Sequence, residues 1–142
     1  MVYGGGSNGL MGIVAKSVIQ HGGHVTGIIP HFLATKEIML ENADELVVTQ
    51  DMHERKRKMF DRADAFVALP GGVGTLEEVA EQLAWIRLGQ HSKPLILLDV
   101  NGFWQPLQFL LNEMARQHFL PADFESYFKV ASTPEDVLRL LS

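Results

Sequence analysis

DAFVALPGGVGTLEEVAEQLAWIRLG, residues 64–89, contains one complete unit of the fold. Residues 64–70 form a short apolar run of strand length that stops at Pro70, Gly71 and Gly72. From Thr75 onward apolar residues recur at helical spacing, and Gly89 closes that segment as a helix C-terminus. Strand, glycine turn and helix in this order make a βα unit, and a strand apolar on both faces belongs in a covered parallel sheet.

The alternation continues on both sides. Upstream, MVY ends at GGGSNG, LMGIVAKSVIQHG reads as a helix stopped by Gly22 and Gly23, and HVTGIIP and ELVVTQ read as strands. Between those strands HFLATKEIMLENAD is a loop with a turn of helix, and DMHERKRKMFDRA is a helix. Downstream, KPLILLDV is a strand, and FWQPLQFLLNEMARQHF is a helix with Pro106 in its first turn. YFKVAS and the capped TPEDVLRLLS close the chain as strand and helix. The fold class is α/β, a parallel sheet flanked by helices. Because the chain opens only three residues before a glycine-rich turn, we expect it to lack the amino-terminal βα unit of such a sheet.

At 142 residues the chain suits a single domain, residues 1–142, with a sizeable core. Its 46% hydrophobic and 20% charged residues exclude a disordered or fibrous chain. A net charge of −5 gives no electrostatic basis for nucleic acid or an anionic membrane as partner, so an anionic ligand must be held by local geometry. The absence of cysteine excludes disulfides and thiol chemistry and suits a reducing compartment. No run reaches the roughly 18 apolar residues of a membrane span, and the expected location is cytoplasmic.

Two glycine turns compete as ligand sites. Gly4, Gly6 and Gly9 fit G-x-G-x-x-G between a strand and a helix, but HVTGIIP lacks the acidic residue that a dinucleotide ribose requires. These glycines are then either a ligand turn or only a tight strand-to-helix connection. In the second turn Gly71, Gly72 and Gly74 precede a helix whose amides and dipole favour a phosphate. The Lys and Ser/Thr of a P-loop are missing there. Thr75-x-x-Glu78 has the spacing of a capping box. Its alternative role is chemical: a carboxylate beside a bound phosphate can stabilise positive charge on a sugar carbon as a glycosidic bond breaks.

In the basic helix, Met52, Met59, Phe60 and Ala63 mark the apolar face. At about 100° per residue Lys56 falls inside that stripe and Arg55 on its edge, while Arg57 and Lys58 point away. Arg55 and Lys56 either snorkel past the sheet or clamp a phosphate, ribose or carboxylate near its ligand-binding edge.

VYGGGSNGLMG, MHERK, PGGVGTLEE and WIRLGQHSKP, in this order, resemble the LONELY GUY family, long described as possible lysine decarboxylases. The resemblance spans nearly the whole chain. It implies a Rossmann-like homodimer that acts as a phosphoribohydrolase, splitting cytokinin riboside 5'-monophosphates, or AMP, into free base and ribose 5-phosphate. By the same resemblance Arg55 and Glu78 are the catalytic pair. Gly71, Gly72, Val73, Gly74, Thr75, Leu76 and Glu77 form the phosphate and ribose loop, and Lys56 and Glu37 help hold the nucleotide. Trp85 is read as a core or interface residue.

No metal is expected, since none of the six histidines forms a helical H-x-x-x-H pair, and no cofactor is expected. Two alternatives stand beside the hydrolase. One is a nucleotide-binding module of the same fold without catalysis. The other is a pyridoxal phosphate decarboxylase, for which Lys16, Lys36, Lys56 and Lys93 are candidates with no local pattern that selects one.

Overall fold

The computed structural model describes residues 1–34, 39–40 and 42–142. In chain order the elements are β1 (Val2–Tyr3), α1 (Gly9–Gln20), β2 (Thr26–Pro30), α2 (His31–Ala34), β3 (Glu45–Thr49), α3 (Met52–Arg62) and β4 (Phe66–Ala68). They continue with α4 (Val73–Arg87), β5 (Leu95–Leu98), α5 (Gln105–Arg116), β6 (Lys129–Ala131) and α6 (Pro134–Leu141). Short 3-10 turns cover Val100–Gly102 and Phe124–Tyr127.

The strands form two parallel three-stranded sheets, β1-β2-β3 and β4-β5-β6, within two compact units, Met1–Ala63 and Asp64–Ser142. The α/β class with helix-flanked parallel strands is therefore as the sequence indicated. Each central strand is the chain's most continuous buried run: every residue of β2 and of β5 is buried. A parallel strand covered on both faces needs this pattern, while an edge strand can keep polar residues. β3, at the edge, accordingly leaves Glu45 and Val48 exposed.

In the first unit Tyr3, Ala15, Val25 and Leu40 form the core, with Val18, Ile19 and Ala43 packed around them. In the second, the alternation along β5 divides two cores. Leu97 faces Ala68, Val79 and Trp104, whereas Ile96 and Leu98 face Ala131 and Val137. Each fully buried aliphatic side chain contributes about 1.5–3 kcal/mol.

Helix ends follow local chemistry. α1 and α4 stop at Gly22 and Gly89, both at positive φ, with the paired amide-to-carbonyl bonds of a Schellman motif. α5 ends the same way on His118, at φ 64°, so it stops at Arg116 instead of running on to Phe119. Pro106 lies in its first turn. α6 carries a full capping box between Thr133 and Asp136.

Candidate functional site

The structure changes the reading of the PGGVGTLEE turn. α4 begins at Val73, two residues earlier than the periodicity suggested, and its N-cap is Gly72, which offers no side chain. The first helical bond runs from the Leu76 amide to the Gly72 carbonyl, 3.1 Å. Thr75 is thus the third helical residue and Glu78 the sixth, so the capping box expected from their spacing does not form. By helix geometry the amides of Val73, Gly74 and Thr75 precede the first possible intrahelical partner, and they point out of the positive end of α4.

The three glycines here differ in what demands them. A Cβ on Gly71 would lie 2.3 Å from the Thr75 hydroxyl oxygen, so the Thr75 side chain takes the space that any other residue at 71 would need. Around Gly72 and Gly74 a Cβ would meet nothing within 4 Å, and neither has positive φ. Among the described residues neither packing nor backbone conformation requires glycine at 72 or 74. Val73, between them, is 85% exposed. Thr75 and Glu78 are half-buried, and Leu76 and Glu77 are exposed. Farther along α4, Trp85 is half-buried and Gln82 is buried, and no described residue bonds the Gln82 carbonyl oxygen. No sequence signal marks Gln82, because its period is that of an ordinary core position.

In the first unit Arg55 and Lys56 sit on α3. Asp51 caps this helix, its carboxylate accepting from the Glu54 amide at 2.8 Å, while the Glu54 carboxylate accepts from the Gln50 amide at 2.8 Å. That bond, and then the Lys58 partner, hold the Glu54 carboxyl below the usual carboxylate range. The anchored first turn presents Arg55, half-buried, whose Nε donates to the Ile28 carbonyl at 3.1 Å. This carbonyl lies in β2, and the Arg55 guanidinium also reaches Gly4, just past β1. Lys56 is half-buried, as a place in the apolar stripe requires, and Arg57 is exposed. Lys58 pairs with Glu54 on the surface at 2.8 Å.

Of the G-x-G-x-x-G positions, Gly9 has positive φ, but so does Gly5, which the motif passes over. Burial raises the pKa of Tyr3, next to this turn. Glu37 lies outside the described residues. Among the described residues no group of three or more His, Asp or Glu side chains could hold a metal ion. No helix among them is long and apolar enough to cross a membrane.

The family described as possible lysine decarboxylase matches residues 11–141. A probable cytokinin riboside 5'-monophosphate phosphoribohydrolase of Oryza sativa subsp. japonica is 45% identical over 142 residues, covering 100% of this chain and 62% of its own length. A cytokinin riboside 5'-monophosphate phosphoribohydrolase of Arabidopsis thaliana is 44% identical over 99% of this chain and 62% of its own. The chain thus spans less than two thirds of these relatives' length. Among solved structures, a molybdenum cofactor binding protein of the phototrophic bacterium Rippkaea orientalis matches with a TM-score of 0.69 and 25% identity, covering 99% of this chain and 74% of that one. With matches of this extent, the chain belongs to the family described as possible lysine decarboxylase, the LONELY GUY family whose motifs its sequence carries.

Proposed function

We propose that the chain acts as a nucleoside 5'-monophosphate phosphoribohydrolase. Water cleaves the N-glycosidic bond: its hydroxyl remains on the sugar carbon to give ribose 5-phosphate, and its proton leaves with the purine or cytokinin base. AMP is the simplest substrate. The observation that carries the reading is the uncapped start of α4, where Gly72 and Gly74 are glycines that no described neighbour explains. Glycine at such a place suits the close approach of something other than the chain, and outward amides at a helix start suit a phosphate. The names of the plant relatives support the same chemistry.

In this reading the loop amides from Gly71 to Thr75, with the Thr75 hydroxyl, hold the 5'-phosphate. Val73 and Leu76 shape the loop's outer surface, and Glu77 binds ribose hydroxyls. Glu78, set one turn deeper and half-buried, stabilises the oxocarbenium-like sugar carbon or activates water. Arg55 orients the sugar or the carboxylate, and Lys56 and Glu37 hold the nucleotide. Glu78 is the sixth residue of α4 and does not cap the helix, so capping does not account for a carboxylate at this position.

The reading takes the protein to be cytoplasmic and a homodimer. The family resemblance supports the dimer, and a chain without cysteine suits a reducing compartment. A pyridoxal phosphate decarboxylase has less support: of its four candidate lysines Lys16 is exposed on α1, Lys56 and Lys93 are half-buried and Lys36 lies outside the described residues, so no one of them is singled out as the Schiff-base lysine.

The deciding test is release of free base from AMP and from a prenylated adenosine monophosphate, with Glu78→Gln as control. We expect release by the parent chain and a loss of about 100-fold or more in the variant, with unfolding unchanged to within about 0.5 kcal/mol. Nucleotide binding without base release would identify a non-catalytic module.

A further inference from the structure

Gly4 has no positive φ, so its backbone does not call for glycine. A Cβ built there would stand 2.7 Å from a terminal guanidinium nitrogen of Arg55, 3.8 Å from the guanidinium carbon and 3.3 Å from the sulfur of Met11. No backbone atom outside the immediate neighbourhood is among these nearest contacts. What the missing side chain preserves is room for the end of one long side chain.

That side chain is held at its other edge. The Nε of Arg55 donates to the Ile28 carbonyl at 3.1 Å, and its backbone amide donates to Asp51 at 3.1 Å. The guanidinium is planar, so one Nε bond and one bare Cα beneath a terminal nitrogen together restrict its rotation and tilt. The two anchors come from adjacent parallel strands, Gly4 just past β1 and Ile28 within β2.

We propose that Gly4 is a positioning residue for Arg55, its absent side chain forming the bed on which the guanidinium lies. An alanine methyl here meets only movable side-chain tips, so the fold can accept it. The guanidinium cannot keep its place, and must swing off the Ile28 carbonyl or tilt away from the turn. The consequence for catalysis rests on the phosphoribohydrolase reading, whereas the placement of Arg55 does not.

Two measurements test this in the intact chain. The first is the side-chain Nε–H resonance of Arg55 by NMR, identified by its loss in Arg55→Lys. In Gly4→Ala we expect it to move to the position of solvent-exposed arginines, and a resonance that stays in place overturns the proposal. The second is a double-mutant cycle in base release. Gly4→Ala alone should lower kcat about 10- to 100-fold, as a misplacement of about 1 Å does, with a smaller change in KM. In an Arg55→Ala background the same substitution should change the rate less than about 2-fold, because its target is gone. Equal losses in both backgrounds overturn the proposal.

Should Gly4→Ala destabilise the chain, Arg55→Ala in the same molecule must restore stability by removing the clashing group. A double variant that remains unfolded also overturns it. If the parent chain releases no base at all, the hydrolase reading fails while the resonance experiment still decides the role of Gly4.

Discussion

Gly71 and Thr75 share one small space, in which a Cβ on residue 71 would stand 2.3 Å from the threonine hydroxyl oxygen and 2.8 Å from its Cβ. Thr75 is β-branched and sits in the first turn of α4, so few rotamers let it retreat. Gly71→Ala should therefore lower stability by about 1–3 kcal/mol through overpacking and weaken nucleotide binding together with it. Urea unfolding and nucleotide titration check both.

Gly74 should behave in the opposite way. It is the second residue of α4 and a Cβ there meets nothing within 4 Å. Replacing a helical glycine by alanine reduces the freedom of the unfolded chain, so Gly74→Ala should stabilise the protein by up to about 1 kcal/mol. If the loop holds a phosphate, the same methyl should weaken nucleotide binding. A variant that is less stable, or that binds as well as the parent, contradicts this account.

His91 gives the second unit a pH dependence. Its ring lies against Phe66, centroids 5.8 Å apart and planes tilted by 58°, and its Nδ1 accepts from the Lys93 amide at 3.1 Å. Burial, and then the Lys93 charge, push its pKa below the ordinary 6.5. The unfolded chain therefore binds a proton that the folded chain resists. The contribution is fully present above about pH 6.5 and is lost as the pH falls through the lower folded value. Urea midpoints measured at about pH 7.5 and about pH 5 should differ less in His91→Gln than in the parent.

α6 has the side-chain cap that α4 lacks. The Thr133 hydroxyl accepts from the Asp136 amide at 3.2 Å, and the Asp136 carboxylate accepts from the Thr133 amide at 3.1 Å. Thr133→Ala should cost about 1 kcal/mol, read as a lower urea midpoint. Base release should be unchanged, since no proposed role falls on α6.

The elements most legible in the sequence were those whose signal is local. HVTGIIP and KPLILLDV read as strands and hold β2 and β5, buried throughout, whereas DAFVALP, apolar on both faces, forms β4 at an edge of its sheet with Val67 exposed; Gly22 and Gly89 marked helix ends because left-handed backbone favours glycine. α5 ran too long in the sequence reading because His118 takes the same left-handed conformation without the residue that advertises it. The start of α4 was misplaced for a related reason. Gly72, Val73 and Gly74 have poor helix propensity, while Thr75 imitates a cap, and only the bond from the Leu76 amide to the Gly72 carbonyl shows where the helix begins. Strand pairing was not legible, since alternation separates strands from helices without stating which strands bond. In the site, residue types and order showed the glycine loop and the basic helix, but not the contact of Arg55 with Gly4, which depends on two segments meeting in space.

The missing cap on α4 also makes the proposed ligand site its own reporter. By helix geometry the amides of Val73, Gly74 and Thr75 lack an intrahelical carbonyl partner, so without ligand they should trade hydrogen for deuterium nearly as fast as an open loop. A phosphate seated on them would slow that trade while the rest of α4 stays unchanged. Occupancy could then be followed at three backbone positions, without a label or a turnover.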